Sequence, residues 1–329
     1  MHAILNTIYY YAKGSAIVKA RKNFSFMFLF MTVLVLLVSA CGNQSTPGTG
    51  SQPKPKPSDL TVQQVLQKSA DAMKNLKSSH IELKSNSSTQ AAQVSTKPSD
   101  KATPVATNVN ISMTGSGDQQ GTDQQQLNLT INSAQQNTKL GEIVKGDKVY
   151  IQNAQGKWYV LNKSQLTGST TNLFSGATFD QNSLLGLIQS VKLVDHGADN
   201  LNGESLRHLT ASLDKDALKQ ILKQNPNFKG SLGQQNIDTA LSSAKTFLTV
   251  VDVWIDESKF YVHRTQVKTD IVLDTSATAT KGTTPGVVNS ASTSVIDLSK
   301  FDQPVTINVP ANATPTDNPA TAFGLPQQP

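Results

Sequence analysis

Apolar residues recur at two different spacings along this chain and so predict which segments are helices and which are strands. From Val62 to Leu76 they fall on one face of a helix, which predicts an amphipathic α-helix. Ser58 or Thr61 can cap this helix, and Gln64 stands three residues after Thr61, as a capping box requires. The folded part is therefore expected to open with a helix whose apolar stripe faces a core.

Beyond this helix, apolar and polar residues alternate, which is the period of half-buried β-strands. The alternating stretches are 81–84, 109–113, 127–131 and 140–161, and the last is expected to hold two or three short strands. Successive half-apolar strands joined by short turns predict an antiparallel sheet. Two stretches rich in Ser, Thr and Ala, Ser85–Asn108 and Thr275–Ser290, are expected to be long loops.

The middle of the chain mixes both patterns. Helical spacing predicts helices over Ser183–Ser190, after the capping residue Asp214, and more weakly over Gln234–Ala244. Between the first two, Val191–Val194 and Ser205–Leu213 are predicted to pair as strands around a turn.

The strongest hairpin pattern lies near the end of the chain. Phe247–Ile255 alternates, a turn is predicted at Asp256–Lys259, and Phe260–Leu273 returns as the second strand. Two further strands are predicted, at Ser292–Leu298 and Val305–Val309.

The first 40 residues have the pattern of an export signal. A basic cluster at 19–22 precedes the apolar stretch Phe24–Val38, and the small residues Ser39 and Ala40 precede Cys41, the only cysteine. This arrangement resembles the bacterial lipobox, whose cysteine receives a diacylglyceryl group before the signal is cut off. The alternatives are an ordinary secretory signal or a transmembrane anchor, for which the 17 residues Phe24–Ala40 are at the short limit. We predict a signal peptide over 1–40 and a lipid anchor on Cys41.

Composition sets the limits of the domain and of its partners. Four of the 29 Lys and Arg but none of the 23 Asp and Glu lie in residues 1–40, which leaves 25 basic against 23 acidic residues. The net charge of +6 thus belongs largely to the signal, and nucleic acid is not expected as a partner. Segment 41–57 is predicted to be a disordered tether, 58–310 the folded domain, and 311–329 a disordered tail.

Side chains that would support catalysis do not form a recognisable pattern. The four histidines after the signal, at positions 80, 196, 208 and 263, lack metal-ligand spacing and are expected to be strand or turn residues. Nucleophile-elbow and phosphate-loop motifs are not found. Trp158, Tyr159 and Trp254 are candidates for a ligand platform or for packing. We expect no cofactor, no metal and no enzymatic activity.

Four segments resemble the mycobacterial LppX/LprAFG lipoproteins of the LolA-like group. They are 69–80 (SADAMKNLKSSH), 202–214 (NGESLRHLTASLD), 253–264 (VWIDESKFYVHR) and 297–310 (DLSKFDQPVTINVP), so that the resemblance spans about residues 60 to 310. It implies an α+β fold in which a single, strongly curved antiparallel sheet, a half-barrel, is wrapped around helices. It also implies an apolar cavity between the sheet and the helices.

The resemblance and the lipobox together predict a cell-envelope lipoprotein, held on the outer side of a membrane by Cys41, that binds an acyl-chain lipid or glycolipid as a carrier or sensor. The alternative is an interaction or regulatory lipoprotein of the same fold, with a filled core and a protein partner. The residues expected to line the cavity are Val65, Met73, Ile151, Leu185, Ile188, Leu218, Leu222, Phe247, Val251 and Val253.

Overall fold

The structure, a computed structural model, describes residues 58–93, 107–121, 123–134, 136–166, 185, 188, 191–217, 243–274 and 286–324. Helix α1 is Val62–Lys74, a 3-10 turn spans Lys163–Leu166, and the short helix α2 is Pro319–Ala322. The strands are β1 Ser78–Gln93, β2 Thr107–Gln120, β3 Gln124–Ser133, β4 Gln136–Lys145, β5 Lys148–Gln152, β6 Trp158–Asn162, β7 Leu193–Leu201, β8 Glu204–Leu213, β9 Ala244–Ile255, β10 Val262–Asp274, β11 Gly286–Ser299 and β12 Thr314–Pro315.

All twelve strands belong to one curved, unclosed sheet, in the order β12-β6-β5-β4-β3-β2-β1-β11-β10-β9-β8-β7. The first six form one antiparallel meander and β7 to β11 form a second, and the two are joined where β1 pairs with β11. Only β12, beside β6, is parallel to its neighbour. The predicted single antiparallel sheet is confirmed.

The opening helix begins as its sequence predicts. The Thr61 hydroxyl accepts a hydrogen bond from the Gln64 backbone N–H at 3.3 Å, and the Gln64 side chain accepts one from the Thr61 N–H at 2.9 Å. This reciprocal pair satisfies two backbone donors that a helix start leaves without partners. Helix α1 then buries Val65, Leu66 and Met73.

The predicted hairpin is confirmed as β9 and β10, joined by the turn at Asp256–Lys259. The pairing of β7 with β8 around Asn202 and Gly203 is also confirmed. Leu185, Ile188 and residues 215–217 are helical, as predicted, while most of the three predicted middle helices lies outside the described residues.

Three predictions differ from the structure. Residues 85–93 continue β1 and 286–290 begin β11, since Ser, Thr and Ala are accommodated wherever a neighbouring strand continues the hydrogen-bond ladder. Val305–Val309 is not a strand; within it, the Ile307 carbonyl accepts a hydrogen bond from the Lys145 side chain at the end of β4. The predicted disordered tail is folded up to Gly324, because β12 pairs with β6 and Phe323 is buried.

Two glycines allow β2 and β3 to approach closely. A Cβ atom on Gly117 would overlap the backbone carbonyl oxygen of Gln126, and one on Gly115 would lie 2.5 Å from a methyl carbon of Leu129. Any side chain at Gly117 would therefore push the two strands apart, since the obstacle there is backbone.

The described residues form two hydrophobic cores. The first, which we call the α1 core, consists of Val65, Leu66, Met73, Leu76, Ile81, Leu185, Ile188, Leu209, Ala211, Leu213, Val251, Val253, Ile255, Val262, Val267 and Leu298. The second core consists of Leu83, Leu127, Leu129, Val144, Val149, Ile151, Leu161, Leu166, Ala322 and Phe323. Among the described parts of the chain, no helix has the length and apolar character needed to cross a bilayer.

Candidate ligand-binding face

The candidate site is the face of the sheet that α1 covers, which we call the inner face. Alternation along each strand places every second residue on it. Val251 and Val253 of β9 and Ile81 of β1 point to this face and pack with Val65 and Met73 of α1 in the α1 core. The Met73 sulfur also accepts a hydrogen bond from the Val262 N–H at 3.4 Å.

Six of the ten residues predicted to line a cavity meet in the α1 core: Val65, Met73, Leu185, Ile188, Val251 and Val253. Each of them is at most 8% exposed. Ile151 is in the second core instead, because β5 and β9 lie in opposite halves of the strand order. Phe247 lies on β9 opposite Ile271 and is partly exposed, and Leu218 and Leu222 lie outside the described residues.

A band of hydroxyl side chains crosses the inner face next to the α1 core. Cross-strand pairing places Thr249 beside Thr269, and Thr269 beside Ser292. The hydroxyl oxygens of Thr249 and Thr269 are hydrogen-bonded at 2.9 Å. We call this band the hydroxyl belt, and each of its residues is between 4% and 7% exposed. Its members are Ser85, Thr249, Thr269, Ser290, Ser292 and Ser294.

Apolar side chains continue on the inner face past the hydroxyl belt. Ile271, Leu273 and Val288 are 4–5% exposed, yet they belong to neither of the two cores. Helix α1, with 13 residues, is about 20 Å long. Strands β1 and β11, with 16 and 14 residues, extend to about 45–50 Å. The inner face is thus much longer than α1 can cover.

Arg207 fixes the beginning of α1 to the sheet. Its guanidinium donates hydrogen bonds to Asp195 at 2.7 Å, to Glu257 at 2.8 Å and to the Leu60 carbonyl at 2.9 Å. Burial acts to raise the pKa of Asp195, but hydrogen bonds from Arg207 and from the Gly197 backbone hold it below its ordinary value. At Glu257, burial likewise acts to raise the pKa, but hydrogen bonds from Ser58 and Arg207 lower it.

The opposite, outer face carries an aromatic stack. The His208 ring lies 4.2 Å from Trp254 and 4.5 Å from His196, and its Nε2 is 3.1 Å from Asp252. Burial acts to raise the pKa of Asp252, but hydrogen bonds from His208 and Thr210 lower it. The stack packs three neighbouring strands together, β7, β8 and β9, and gives Trp254 a structural role.

The other two histidines of the domain lie on strands and pair with carboxylates. His80 is 2.6 Å from Asp118, and His263 is 2.8 Å from Glu204. Within the described residues, no group of His, Cys, Asp and Glu has the arrangement of a metal site.

The outer face also has a groove of about 570 Å³. Its lining includes Asn86, Ser112, Asn132 and Thr293, which form one cross-strand row. Nine of its twelve lining residues carry an amide or hydroxyl group, although carbon atoms supply most of its exposed lining, and it lies on the face away from α1.

The sequence analysis did not single out Glu142, which is only 4% exposed. It lies on β4 of the inner face, opposite Leu127 and Ile151. Burial raises the pKa of Glu142 to about 8, and the charge of Lys163 only partly offsets this effect. The alternation Leu140–Glu142–Val144 already placed this carboxyl group on an apolar face, and that is the signal that would have identified it.

No protein-family model matches this chain, and no curated protein sequence matches it. Among solved structures, LprF from Mycobacterium bovis is 18% identical, with a TM-score of 0.39 over 78% of this chain and 100% of that one. The Mycobacterium tuberculosis lipoprotein LppX is 14% identical, with a TM-score of 0.36 over 76% of this chain and 100% of that one. A structure concerning lipid–protein interactions in lipovitellin is 8% identical, with a TM-score of 0.27 over 72% of this chain and 26% of that one. The resemblance to LppX and LprF stated from the sequence is confirmed.

Proposed function

We propose that this chain is an extracytoplasmic lipoprotein that holds an acyl-chain lipid or glycolipid against the inner face of its sheet, as a carrier or sensor. Cys41 anchors it to the membrane, the sheet curves around the helices, and no chemical step is catalysed. The observation that carries the proposal is the length of the inner face: apolar residues that are buried but belong to neither described core continue past the hydroxyl belt, beyond the length of α1.

An alkyl chain on this surface would gain roughly 0.8 kcal/mol for each buried methylene group. The apolar residues Ile271 and Val288 would contact the chain, and the hydroxyl belt would hydrogen-bond to polar groups along the ligand. The inner face therefore offers both apolar and hydrogen-bonding contacts to an amphipathic molecule.

One observation favours the alternative, an interaction or regulatory lipoprotein with a filled core. Val65, Leu185, Ile188 and Val253 are fully buried and pack together, so this part of the predicted cavity lining is occupied by the chain's own side chains. In that case the protein would bind a protein partner on its surface.

The substitution Ile271→Trp separates the two functions, with Val272→Trp on the opposite face of β10 as the matched control. If a lipid lies over Ile271, the tryptophan replaces it and abolishes lipid uptake, while the free energy of unfolding changes by less than about 1 kcal/mol. If the core is filled, the same change overpacks it and lowers the unfolding free energy by roughly 1–3 kcal/mol. Lipid uptake and urea unfolding of both variants decide between these outcomes.

A further inference from the structure

Two polar side chains share the inner face where β3 pairs with β4. Leu127 is opposite Glu142 and Gln125 is opposite Val144, so Gln125 and Glu142 are diagonal neighbours on the same face. Diagonal neighbours have Cα atoms roughly 7–8 Å apart, within reach of two long side chains.

Both side chains carry a buried polar atom without a partner. Glu142 Oε1 and Gln125 Nε2 are completely shielded from solvent, and neither makes a hydrogen bond with the described residues. Most buried polar side-chain atoms in proteins are paired, because an unpaired one loses its hydrogen bond to water without compensation. These two atoms, on diagonal neighbours of one face, are available to hydrogen-bond with a bound polar group.

The segment from Gln303 to Ile307 is hydrogen-bonded to strand ends next to this pair. The Gln303 carbonyl accepts a hydrogen bond from Ser78 on β1 at 2.6 Å, and the Ile307 carbonyl accepts one from Lys145 on β4 at 3.1 Å. Ile307 is 3% exposed, so its side chain packs against the rest of the protein.

Charge determines which group fits between the two side chains. With a pKa of about 8, Glu142 is mostly uncharged at neutral pH and offers an O–H donor and a carbonyl acceptor. Gln125 adds an N–H donor. A phosphate would have to be buried as an anion, which costs free energy, whereas a hydroxyl or an ester carbonyl carries no charge.

We infer that Gln125 and Glu142 bind an uncharged hydroxyl or ester carbonyl group in the headgroup of the lipid, and that they select neutral lipids over phosphorylated ones. This inference rests on the proposed function. It assigns specificity to β3 and β4 in the first meander of the sheet, whereas Ile271 lies on β10 in the second.

The test uses the full-length protein in nanodiscs and two photoreactive probes, a 1-monoacylglycerol and the same molecule carrying a phosphate on its free hydroxyl. The variants are Glu142→Leu, Glu142→Gln and Gln125→Leu, with Glu82→Leu as control, since Glu82 is exposed on the outer face of β1. The covalent labelling yield of each probe is measured, and circular dichroism checks the fold of each variant.

We expect the wild type to be labelled by the neutral probe at least about fivefold more than by the phosphorylated one, the effect of one hydrogen bond. Glu142→Leu and Gln125→Leu should each lose about fivefold of the neutral labelling. Glu142→Gln and Glu82→Leu should retain it. Neutral labelling within twofold of wild type in both leucine variants would overturn this inference and leave the proposed function intact. Absence of saturable labelling of the wild type by either probe would overturn the proposed function, and this inference with it.

Discussion

Replacing Glu142 by Gln is expected to remove a loss of stability that the wild type suffers as the pH rises. The pKa of Glu142 is raised by burial from 4.5 to about 8 in the folded protein. Between these two values the folded chain binds a proton that the unfolded chain has released, so stability is greatest at low pH and falls as the pH approaches 8. For this shift the fall between pH 5 and pH 8 is about 3 kcal/mol.

Urea unfolding of the wild type and Glu142→Gln at pH 5, 6, 7 and 8 measures this difference. The unfolding free energies of the two proteins should differ least at pH 5. By pH 8 the variant should have gained about 3 kcal/mol of unfolding free energy relative to the wild type. Every other titrating group is common to both, so its contribution cancels in the comparison. Glu82→Gln, at an exposed position, should run parallel to the wild type. A difference between wild type and Glu142→Gln that stays constant from pH 5 to pH 8 would show that Glu142 is not buried as a neutral acid.

Three further changes test other parts of the molecule. Cys41→Ser should leave the protein uncleaved or release it from the membrane, because a hydroxyl cannot take the thioether lipid; a variant of mature size in the membrane fraction of a cell extract would contradict the lipobox. Gly117→Ala should lower the unfolding free energy by more than about 1 kcal/mol, since the new methyl group meets the backbone of β3; an unchanged urea midpoint would refute the close approach of β2 and β3. Arg207→Met should lower the unfolding free energy by about 1–3 kcal/mol, because its hydrogen bonds to the partly exposed Asp195 and Glu257 are lost; an unchanged urea midpoint would mean that Arg207 does not hold α1 in place.

Local patterns in the sequence predict part of this fold well. The capping box at Thr61 and the alternation along β9 and β10 each depend on residues close together in the chain, and both are found as predicted. The extension of β1 through the Ser- and Thr-rich residues 85–93 was missed because it depends on pairing with β11, which is about 200 residues away. The folding of Phe323 against the second core depends in the same way on distant partners.

The candidate site was predictable to a similar extent. Helical and strand periodicity identified Val65, Val251 and Val253 as inward-facing, and they meet in the α1 core. Ile151 was assigned to the same place and lies elsewhere, because periodicity gives the face of a strand but not its position in the sheet. Recognising Gln125 and Glu142 as neighbours with unpaired atoms required the register of β3 and β4, which strand periodicity does not give.

Mass spectrometry of the lipids that co-purify with the full-length protein from its own membranes tests the central claim most directly. Ile271→Trp, purified in parallel, controls for lipid carried over with the membrane. The proposed function predicts an acyl lipid in roughly equimolar amount with the wild type and its loss from Ile271→Trp. Repeated recovery of the same lipids in the same amounts from both proteins, or of none from the wild type, would contradict lipid binding on the inner face.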